Sequence, residues 1–340
     1  MKENNLNFRK KLKSIIKHHY KNCLEYKKIL NFLNYDLNKN NNLKDQPYLP
    51  VNLFKEQDLM SIKKNQIFKI LNSSGTTNNN LSKIYLDKLN SQNQVKALNE
   101  IMSEILGKER LPMLIVDCRN ISENRFKFNA KTAAINGFSI FGKNHTYILK
   151  KDNAIDYETL NNFLIKYGDK PFLIFGFTFS IYENLIIKLD TSKLSKNFSK
   201  GLILHGGGWK KLSNLKIDSY KFRNSLERKI KIKKVYNYYG LIEQTGSIFI
   251  ECPKCKCFKT NKYSEILIRD KNLNTLPEGK RGFVQLFSLL PISYPGHIIL
   301  TEDIGEIIKS NKDCEICKNE TNFLIHGRFP KSVVRGCSDV

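Results

Sequence analysis

The sequence has no apolar run approaching the roughly 18 residues that a transmembrane helix needs. Its first 22 residues are polar and rich in lysine, so they lack the apolar core of about 7–15 residues that a secretory signal peptide carries. We therefore expect a cytoplasmic protein with no transmembrane segment. Acidic residues are also scarce, because 57 Lys and Arg stand against 32 Asp and Glu, for a formal net charge of +25.

This positive charge is spread along the chain rather than gathered into patches. Only ten of the basic residues are Arg, and the excess of Lys accompanies an abundance of Asn and Ile that is typical of an AT-rich genome. Nucleic-acid-binding modules instead cluster basic residues with stacking aromatic side chains. We therefore expect no nucleic-acid partner, although the charge would attract an acidic protein or an anionic membrane surface.

The pattern of apolar residues predicts an α/β protein. The 340 residues, 41% of them hydrophobic, suffice for a substantial core. Short apolar runs alternate with helical segments up to Thr245, which favours a largely parallel sheet between layers of helices, and strand-like runs dominate beyond it. We predict a helical N-terminal segment, an α/β core, a β-rich subdomain and a short C-terminal tail, at residues 1–45, 46–246, 247–328 and 329–340.

A polar loop from Ser73 to Lys83, with the sequence SSGTTNNNLSK, follows an apolar run that predicts a strand. Successive backbone N–H groups in such a loop form a nest for anions, hydroxyl groups donate further hydrogen bonds, and Lys83 adds positive charge. The loop can therefore wrap a polyphosphate. It does not match the Walker pattern, and a polar surface loop has the same composition.

Four more segments fall at the predicted ends of strands, where α/β proteins form ligand sites. The first is Gly206-Gly207-Gly208, which lets the backbone approach a flat ring or a phosphate, or simply makes a tight turn. The second is Tyr239-Gly240 with Glu243, in which the ring can stack on adenine and the carboxylate can hold Mg²⁺. A buried strand end followed by a solvated turn is the alternative for the second.

The other two segments are weaker when taken alone. Asp303, in the run TEDIG, is predicted at a strand end before a glycine turn, where a carboxylate suits ribose hydroxyls as a bidentate acceptor. An ordinary acidic turn has the same appearance. Gly327-Arg328 is informative only together with the other segments.

The order of these segments along the chain is more specific than any one of them. The ordered set resembles the adenylate-forming superfamily of acyl-, aryl- and amino-acid-activating enzymes. Within it, the chain resembles the LuxE-like acyl-protein synthetases of bacterial luciferase operons, from about residue 47 to the C-terminus. This resemblance rests on the stretches SSGTT, LHGGGWKK, YYGLIEQTGSIF, SYPGHIILTEDIGEI and GRFPKSVVRGCSD.

The resemblance implies the large N-terminal-type domain of adenylate-forming enzymes, with layered α/β sheets plus a small β-rich subdomain. It implies that a long-chain fatty acid attacks the α-phosphate of Mg-ATP, releases pyrophosphate and becomes acyl-AMP. Glu243 would hold Mg²⁺ and take part in catalysis with Lys83. The residues that the resemblance assigns to ATP are Ser73, Ser74, Gly75, Thr76, Thr77, Gly206, Gly207, Gly208, Tyr239, Gly240, Asp303 and Arg328.

Cys337 is the acyl acceptor that the resemblance implies. It would take the acyl group as a thioester and pass it to a partner acyl reductase subunit. The residues themselves agree, since the guanidinium of nearby Arg335 favours the thiolate and a short tail can carry the sulfur to the acyl-adenylate. A spare terminal thiol is the alternative.

The chain departs from the superfamily in three places. Asn78 stands where the phosphate loop usually has Gly, and Ile242 replaces the Thr common before the metal-binding Glu. Only twelve residues follow Arg328, so we expect the mobile C-terminal domain, with its catalytic Lys, to be largely absent. Another basic residue or a partner subunit would then complete the site.

Two Cys-x-x-Cys pairs suggest a metal site. They are Cys252 with Cys255 and Cys314 with Cys317, and thiolates at this spacing grip structural Zn²⁺ tetrahedrally. The 56 residues between Cys257 and Cys314 exceed the usual gap, so the pairs can meet only through the fold. Reduced cysteines in two separate turns are the alternative.

Together these features predict an acyl-protein synthetase that uses ATP and Mg²⁺. The second interpretation is an acyl- or aryl-CoA ligase, or a loader of a carrier protein, which would use an external thiol instead of Cys337. The third is a basic binding protein with a decayed ATP site, which would activate no acid and would bind polyanions in a salt-sensitive way.

Overall fold

The computed structural model describes residues 2–39, 42–73, 81–119, 127–128, 130–208, 217–308, 314–317 and 320–329. The chain divides into two compact units. The first unit contains Met1–Met102, Phe126–Ala130 and Gly240–Val334, and the second contains Ser103–Arg125, Lys131–Tyr239 and Arg335–Val340. The four sequence segments stay a prediction, and in this division residues 1–45 and 247–328 both belong to the first unit.

The helices, in chain order, are α1 (Lys2–Asn22), α2 (Leu24–Phe32), α3 (Leu53–Glu56), α4 (Lys88–Leu106), α5 (Ala130–Ser139), α6 (Tyr157–Tyr167), α7 (Thr178–Ile181, continued by a π-helical segment Tyr182–Lys188) and α8 (Ser219–Ile230). Short 3₁₀ segments are Leu43–Asp45, Lys64–Gln66, Thr191–Lys193 and Ile242–Gln244. Among the described residues, no helix has both the length and the apolar character that crossing a membrane requires.

The strands are β1 (Leu49–Pro50), β2 (Lys69–Asn72), β3 (Lys83–Leu86), β4 (Leu111–Cys118), β5 (Lys127–Phe128), β6 (Gly142–Leu149), β7 (Phe172–Phe177), β8 (Gly201–Gly206), β9 (Lys234–Tyr239), β10 (Phe249–Glu251), β11 (Phe258–Lys259), β12 (Ser264–Arg269), β13 (Gly282–Ser288), β14 (Ile298–Ile308) and β15 (Asn322–Arg328).

The second unit is built on a parallel sheet, as the sequence predicts. Its strands lie in the order β6-β4-β7-β8-β9, and every neighbouring pair is parallel. All six residues of β7 and all six of β8 are buried. Parallel strands covered by helices on both faces are apolar throughout, which is why strands β7 and β8 could be predicted from the sequence. Phe222 and Leu226 of α8 pack into the same core as Ile174 and Ile203.

The first unit contains a mainly antiparallel sheet. Strands β12-β13-β14-β15-β11-β10 follow one another with antiparallel pairing. Strand β1 runs parallel to β14, with Leu49 opposite Ile299 and Pro50 opposite Leu300. A smaller sheet in the same unit has the order β3-β2-β5. The predicted β-rich character beyond residue 246 is therefore present.

The predicted glycine turn after Asp303 is wrong. Strand β14 runs through it as one element of 11 residues, with a shift of register against β15 between Ile304 and Gly305. A Cβ atom on Gly305 would lie 2.7 Å from the Leu324 carbonyl oxygen. Because Gly305 has no Cβ atom, β14 and β15 can approach each other closely at this bulge. Asp303 lies within β14 rather than at a strand end.

A buried aromatic cluster attaches the N-terminal helices to the start of β14. The His19 ring stacks on the His297 ring with centroids 4.7 Å apart, and the Tyr26 hydroxyl lies 3.1 Å from His297 Nε2. Ser61 Oγ lies 2.7 Å from His19 Nδ1. Burial lowers the pKa of His297 to about 3 and lowers that of His19 well below its usual value. Both imidazoles are therefore neutral near pH 7.

Candidate active site

Two serines, Ser73 and Ser82, bring the two ends of the polar loop together, and we call this point the loop neck. Strands β2 and β3 are antiparallel, and Asn72 opposite Lys83 is their last register pair. Beyond it the Ser73 N–H donates to the Ser82 carbonyl at 3.0 Å, and the Ser82 N–H donates to Ser73 Oγ at 2.9 Å. The predicted phosphate-binding residues Ser74, Gly75, Thr76 and Thr77 lie outside the described residues.

Lys83 opens β3 at this neck, and its side chain is about half exposed. Its ammonium nitrogen lies 3.5 Å from Asp58 Oδ1, an oxygen that also accepts a hydrogen bond from the Tyr85 hydroxyl at 2.7 Å. An exposed pair of this kind contributes little to stability, so the ammonium can leave Asp58 for an anion at small cost. A catalytic role for Lys83 stays a prediction.

Glu243 is a buried acid of the first unit. It lies in the 3₁₀ segment Ile242–Gln244, which is anchored where Gln244 Nε2 donates to the Gly296 carbonyl at 2.9 Å. Burial raises the pKa of Glu243, while its own N–H, the Ser82 hydroxyl and the charges of Lys55 and Arg328 oppose this rise. The Ser82 hydroxyl makes no hydrogen bond of ordinary geometry, yet it lies close enough to act on this carboxyl.

Asp303 and Arg328 form an ion pair across two strands. They are register partners on β14 and β15, and Arg328 Nε lies 3.4 Å from Asp303 Oδ1. The Asp303 N–H donates to Thr301 Oγ1 at 3.1 Å, and that hydroxyl donates to the Val284 carbonyl at 2.9 Å. The carboxylate is therefore paired with Arg328 on β15, while the backbone of Asp303 is linked to β13 through the Thr301 hydroxyl.

Sequence reasoning missed a group of residues that follows β1. Because β1 pairs with β14, Asn52 comes close to Glu302, and its amide nitrogen donates to Glu302 Oε1 at 2.7 Å. Lys55 Nζ donates to Asn52 Oδ1 at 3.0 Å, and its charge acts on Glu243. No motif surrounds Asn52 or Lys55, so the sequence carried no signal for them.

These contacts gather acid, base and hydroxyl groups around Glu243. Ser82 comes from the loop neck, Arg328 from β15 and Lys55 from α3. A bound cation would offset the cost of burying the charged form of this carboxyl. Magnesium binds through one or two carboxylates and retains several waters, which fits a single acid beside a polar loop. Glu243 is therefore suited to hold Mg²⁺.

The three glycines after β8 belong to the second unit and differ from one another. A Cβ atom on Gly206 would lie 2.5 Å from the Tyr238 ring, and one on Gly207, at φ +93°, would lie 2.7 Å from the Phe177 ring. Gly208 has φ +72° and no atom within 4 Å of such a Cβ. Two of the glycines therefore make room for the protein's own rings, and Gly208 alone faces open space.

Tyr239 ends β9 and is partly buried. Its neighbour Tyr238 packs against Phe138 and Phe175, with ring centroids 4.6 and 6.4 Å away. Because consecutive strand residues point to opposite faces, Tyr239 projects away from those rings. In the first unit, a Cβ atom on Gly240 would lie 3.1 Å from Ile248 Cγ2. The assignment of Tyr239 and Gly240 to ATP stays a prediction.

The two cysteine pairs meet in the first unit. The sulfur atoms of Cys252, Cys255, Cys314 and Cys317 all lie within 4.8 Å of one another. Their predicted proximity through the fold is therefore present, whereas Cys337, the predicted acyl acceptor, lies outside the described residues.

Comparison with known proteins agrees with this fold. The solved structure of an open 2-hydroxyisobutyryl-CoA ligase, in complex with its acyl-AMP and CoA, superposes with a TM-score of 0.74 at 13% identity, covering 97% of this chain and 71% of that one. A luciferase-like enzyme from the nonluminescent mealworm Zophobas morio has a TM-score of 0.52 at 13% identity, covering 80% of this chain and 60% of that one. The predicted adenylate-forming fold is confirmed.

Sequence comparison identifies the family. The long-chain-fatty-acid–luciferin-component ligase of Vibrio harveyi is 23% identical over 340 residues, covering 96% of this chain and 85% of the relative. Residues 2–340 match the family described as acyl-protein synthetase, LuxE. The expected ligase activity is confirmed, since acyl activation by an adenylate-forming ligase is the chemistry common to these matches. The chain belongs to the LuxE family of acyl-protein synthetases.

Proposed function

We propose that this ligase uses Mg-ATP to activate a long-chain fatty acid and carries the acyl group on Cys337 to a partner acyl reductase. The substrate class is supported by the fatty acid in the name of the Vibrio harveyi relative. The carrier cysteine and the reductase are supported by the terminal sequence VVRGCSDV and by membership of the family.

In the first step, a carboxylate oxygen of the acid attacks the α-phosphorus of ATP. The bond from that phosphorus to the bridging oxygen breaks, and pyrophosphate leaves with the electron pair. Ser73 and the loop that it closes bind the phosphates, Asp303 accepts hydrogen bonds from the ribose, and Arg328 and Lys83 offset negative charge. Glu243 would hold Mg²⁺, which would supply positive charge to offset the negative charge of the phosphates.

In the second step, the Cys337 thiolate attacks the acyl carbonyl carbon. A thioester bond forms, the mixed-anhydride bond breaks, and AMP leaves as the anion. Arg335 lies two residues away in the sequence and favours the thiolate. The thioester then exchanges with a nucleophile of the reductase, which regenerates Cys337 for another turnover.

One observation carries the proposal: the acid predicted to bind metal is electrostatically coupled to residues from three distant parts of the chain. Ser82 borders the phosphate loop, Lys55 follows β1, and Arg328 pairs with the predicted ribose ligand Asp303. The closeness of the loop border, the predicted metal ligand and the partner of the predicted ribose ligand within the first unit supports a shared site for ATP.

The test is intact-protein mass spectrometry after incubation with Mg-ATP and a series of fatty acids. Wild type is compared with Cys337→Ser, and Cys118→Ser serves as the control because Cys118 is a partly exposed cysteine elsewhere in the chain. We expect an acyl adduct that hydroxylamine removes, on wild type and on Cys118→Ser, and none on Cys337→Ser. All three proteins should release pyrophosphate in the presence of acid, because acyl-AMP forms before the acyl group moves to Cys337.

Other outcomes separate the alternatives. Acid-dependent AMP release without an adduct on any protein, together with thioester formed on added coenzyme A, would indicate a ligase with an external thiol acceptor. No AMP release with any acid, in the presence or absence of thiols, would contradict the activation step itself.

A further inference from the structure

We propose that Cys252, Cys255, Cys314 and Cys317 form a structural zinc site of the tetrathiolate type. The site lies in the first unit and uses none of the residues assigned to ATP or to the acyl group. It therefore does not depend on the proposed function.

The sulfur atoms have the spacing of a tetrahedron around zinc. Cys252 Sγ lies 3.7 Å from Cys314 Sγ, and Cys255 Sγ lies 3.6 Å from Cys317 Sγ. Zinc–sulfur bonds of about 2.3 Å in tetrahedral geometry place neighbouring sulfurs about 3.8 Å apart. All four sulfurs also lie within 4.8 Å of one another, so one ion can reach each of them.

The same distances argue against other uses of four cysteines. A disulfide joins sulfurs about 2.0 Å apart, which is far shorter than either cross-pair distance. An iron–sulfur cluster binds its cysteines through different iron atoms and would separate the sulfurs further. Unmetallated thiols would exchange only weak S–H···S contacts, which give no reason for four of them to converge.

The backbone around the first pair is arranged to support thiolates. The backbone N–H groups of Lys254 and Cys255 lie within reach of the Cys252 sulfur. Lys256 adopts the left-handed conformation at φ +62° and donates its N–H to the Cys252 carbonyl at 3.0 Å, which closes a tight turn between β10 and β11. Hydrogen bonds to the charged form of a ligand orient and stabilise it around a metal.

Charge and burial fit a closed, structural site. Cys252, Cys314 and Cys317 are at most 2% exposed, and they form a small cluster against which Cys255 packs. Four thiolates around Zn²⁺ carry a net charge of −2, and Lys254 and Lys256 in the same turn contribute positive charge beside it. With four protein ligands, no position is left for substrate or water, which distinguishes structural from catalytic zinc.

The zinc would tie the β10–β11 turn to the segment that leads into β15. The Cys317 carbonyl accepts a hydrogen bond at 3.0 Å from the side-chain amide of Asn322, the buried first residue of β15. Strand β15 ends at Arg328, the partner of Asp303. In a first unit whose strands β10 and β11 have only three and two residues, the metal supplies a crosslink that short strand pairing lacks.

The test is the metal content of the full-length protein, purified under reducing conditions without chelator and measured by elemental mass spectrometry. We expect one zinc per chain in the wild type. Cys255→Ser and Cys314→Ser should each lose bound zinc at least about tenfold, because removing even an outer partner of a metal ligand costs 10–100-fold in affinity. Cys257→Ser is the matched control, since Cys257 is a buried cysteine of the same turn outside the set of four, and it should keep its zinc.

A second measurement guards against variants that fail to fold. Folded wild-type protein is titrated with a mercurial reagent, which modifies the thiols. One zinc per chain should be released, and a metallochromic dye measures it. Wild-type protein that holds no zinc after expression in zinc-supplemented medium would overturn the proposal. So would one iron per chain with visible absorption, or a mass that shows these cysteines oxidised to disulfides.

Discussion

Asp303 and Arg328 face each other in the register of β14 and β15, and their side chains make an ion pair with Arg328 Nε 3.4 Å from Asp303 Oδ1. The pairing holds the Asp303 carboxylate in one orientation, while the Arg328 charge also acts on Glu243. Two residues that are both predicted to bind ATP are thus linked to each other by an ion pair.

Asp303→Asn should weaken the use of ATP with little effect on folding. The amide keeps the shape of the carboxylate but loses the charge-assisted hydrogen bonds to ribose, which contribute about 1.5–3 kcal/mol. We expect kcat/KM for ATP, measured as acid-dependent AMP formation, to fall about 10- to 100-fold. Arg281→Ala is the control, because it breaks the exposed pair between Arg281 and Glu306 on the same sheet. Equal losses in both variants would contradict a role in ATP binding.

Glu243→Gln should lower the activity without lowering the stability of the protein at pH 8. Burial raises the pKa of Glu243 above the usual 4.5, so its contribution to stability is present below that pH and is lost as pH rises through the folded-state pKa. At pH 8 the variant should have a Tm equal to or above that of the wild type. AMP formation should nevertheless fall by about 100-fold or more, since a preorganised charge is lost from the site.

The control for this prediction is Glu265→Gln. Burial also raises the pKa of Glu265, to about 7, but its carboxyl accepts a hydrogen bond from the Thr321 hydroxyl rather than facing the loop neck. It should change stability in the same direction and leave AMP formation intact. A Glu243→Gln protein with full activity would remove Glu243 from the list of metal ligands.

Gly206→Ala and Gly208→Ala should differ in how they affect stability and the use of ATP. The methyl group of the first would lie 2.5 Å from the Tyr238 ring, so overpacking should cost about 1–3 kcal/mol of unfolding free energy. Gly208 faces open space at φ +72°, so only the backbone strain of about 1–2 kcal/mol applies. If Gly208 borders the adenine, its variant should also show a raised KM for ATP. Urea unfolding and AMP assays on both variants test this difference.

The buried histidines predict a loss of stability in acid. The pKa of His297 is lowered to about 3 and that of His19 is lowered as well, so the unfolded chain takes up protons before the folded one does. The contribution of these histidines to the unfolding free energy is complete above pH 6.5. It is lost as the pH falls from 6.5 towards their pKa values in the folded protein. Well below pH 6.5, each histidine should reduce the unfolding free energy by about 1.4 kcal/mol per pH unit.

Urea unfolding between pH 8 and pH 5 measures this slope, and NMR of the imidazole protons follows the two rings directly. In the folded protein, the resonances of His19 and His297 should not titrate down to pH 5. His145→Gln, which removes an exposed imidazole, is the control for assignment and for the slope. Titration of either buried ring near pH 6.5 would show that the cluster opens to water.

Strands β4, β7 and β8 were predictable because each carries an apolar run that suits a buried position in a parallel sheet. Strand β9 was predictable from its valine and three tyrosines, which are residue types enriched in strands. Strand β6 was missed, since Lys143, Asn144 and His145 in its first half are polar and exposed. The turn predicted at Gly305 was wrong because the same residue that makes turns also permits a close approach between strands.

The sequence by itself determined the family, the order of the ligand-binding segments and the two cysteine pairs, because these features are local in the chain. Only the tertiary structure decided which distant residues act together. Lys55 and Arg328 act on Glu243 through the pairing of β1, β14 and β15, and four sulfurs converge across 62 residues of sequence. Electrostatic and metal–ligand interactions depend on distances in space, and local sequence patterns do not encode those distances.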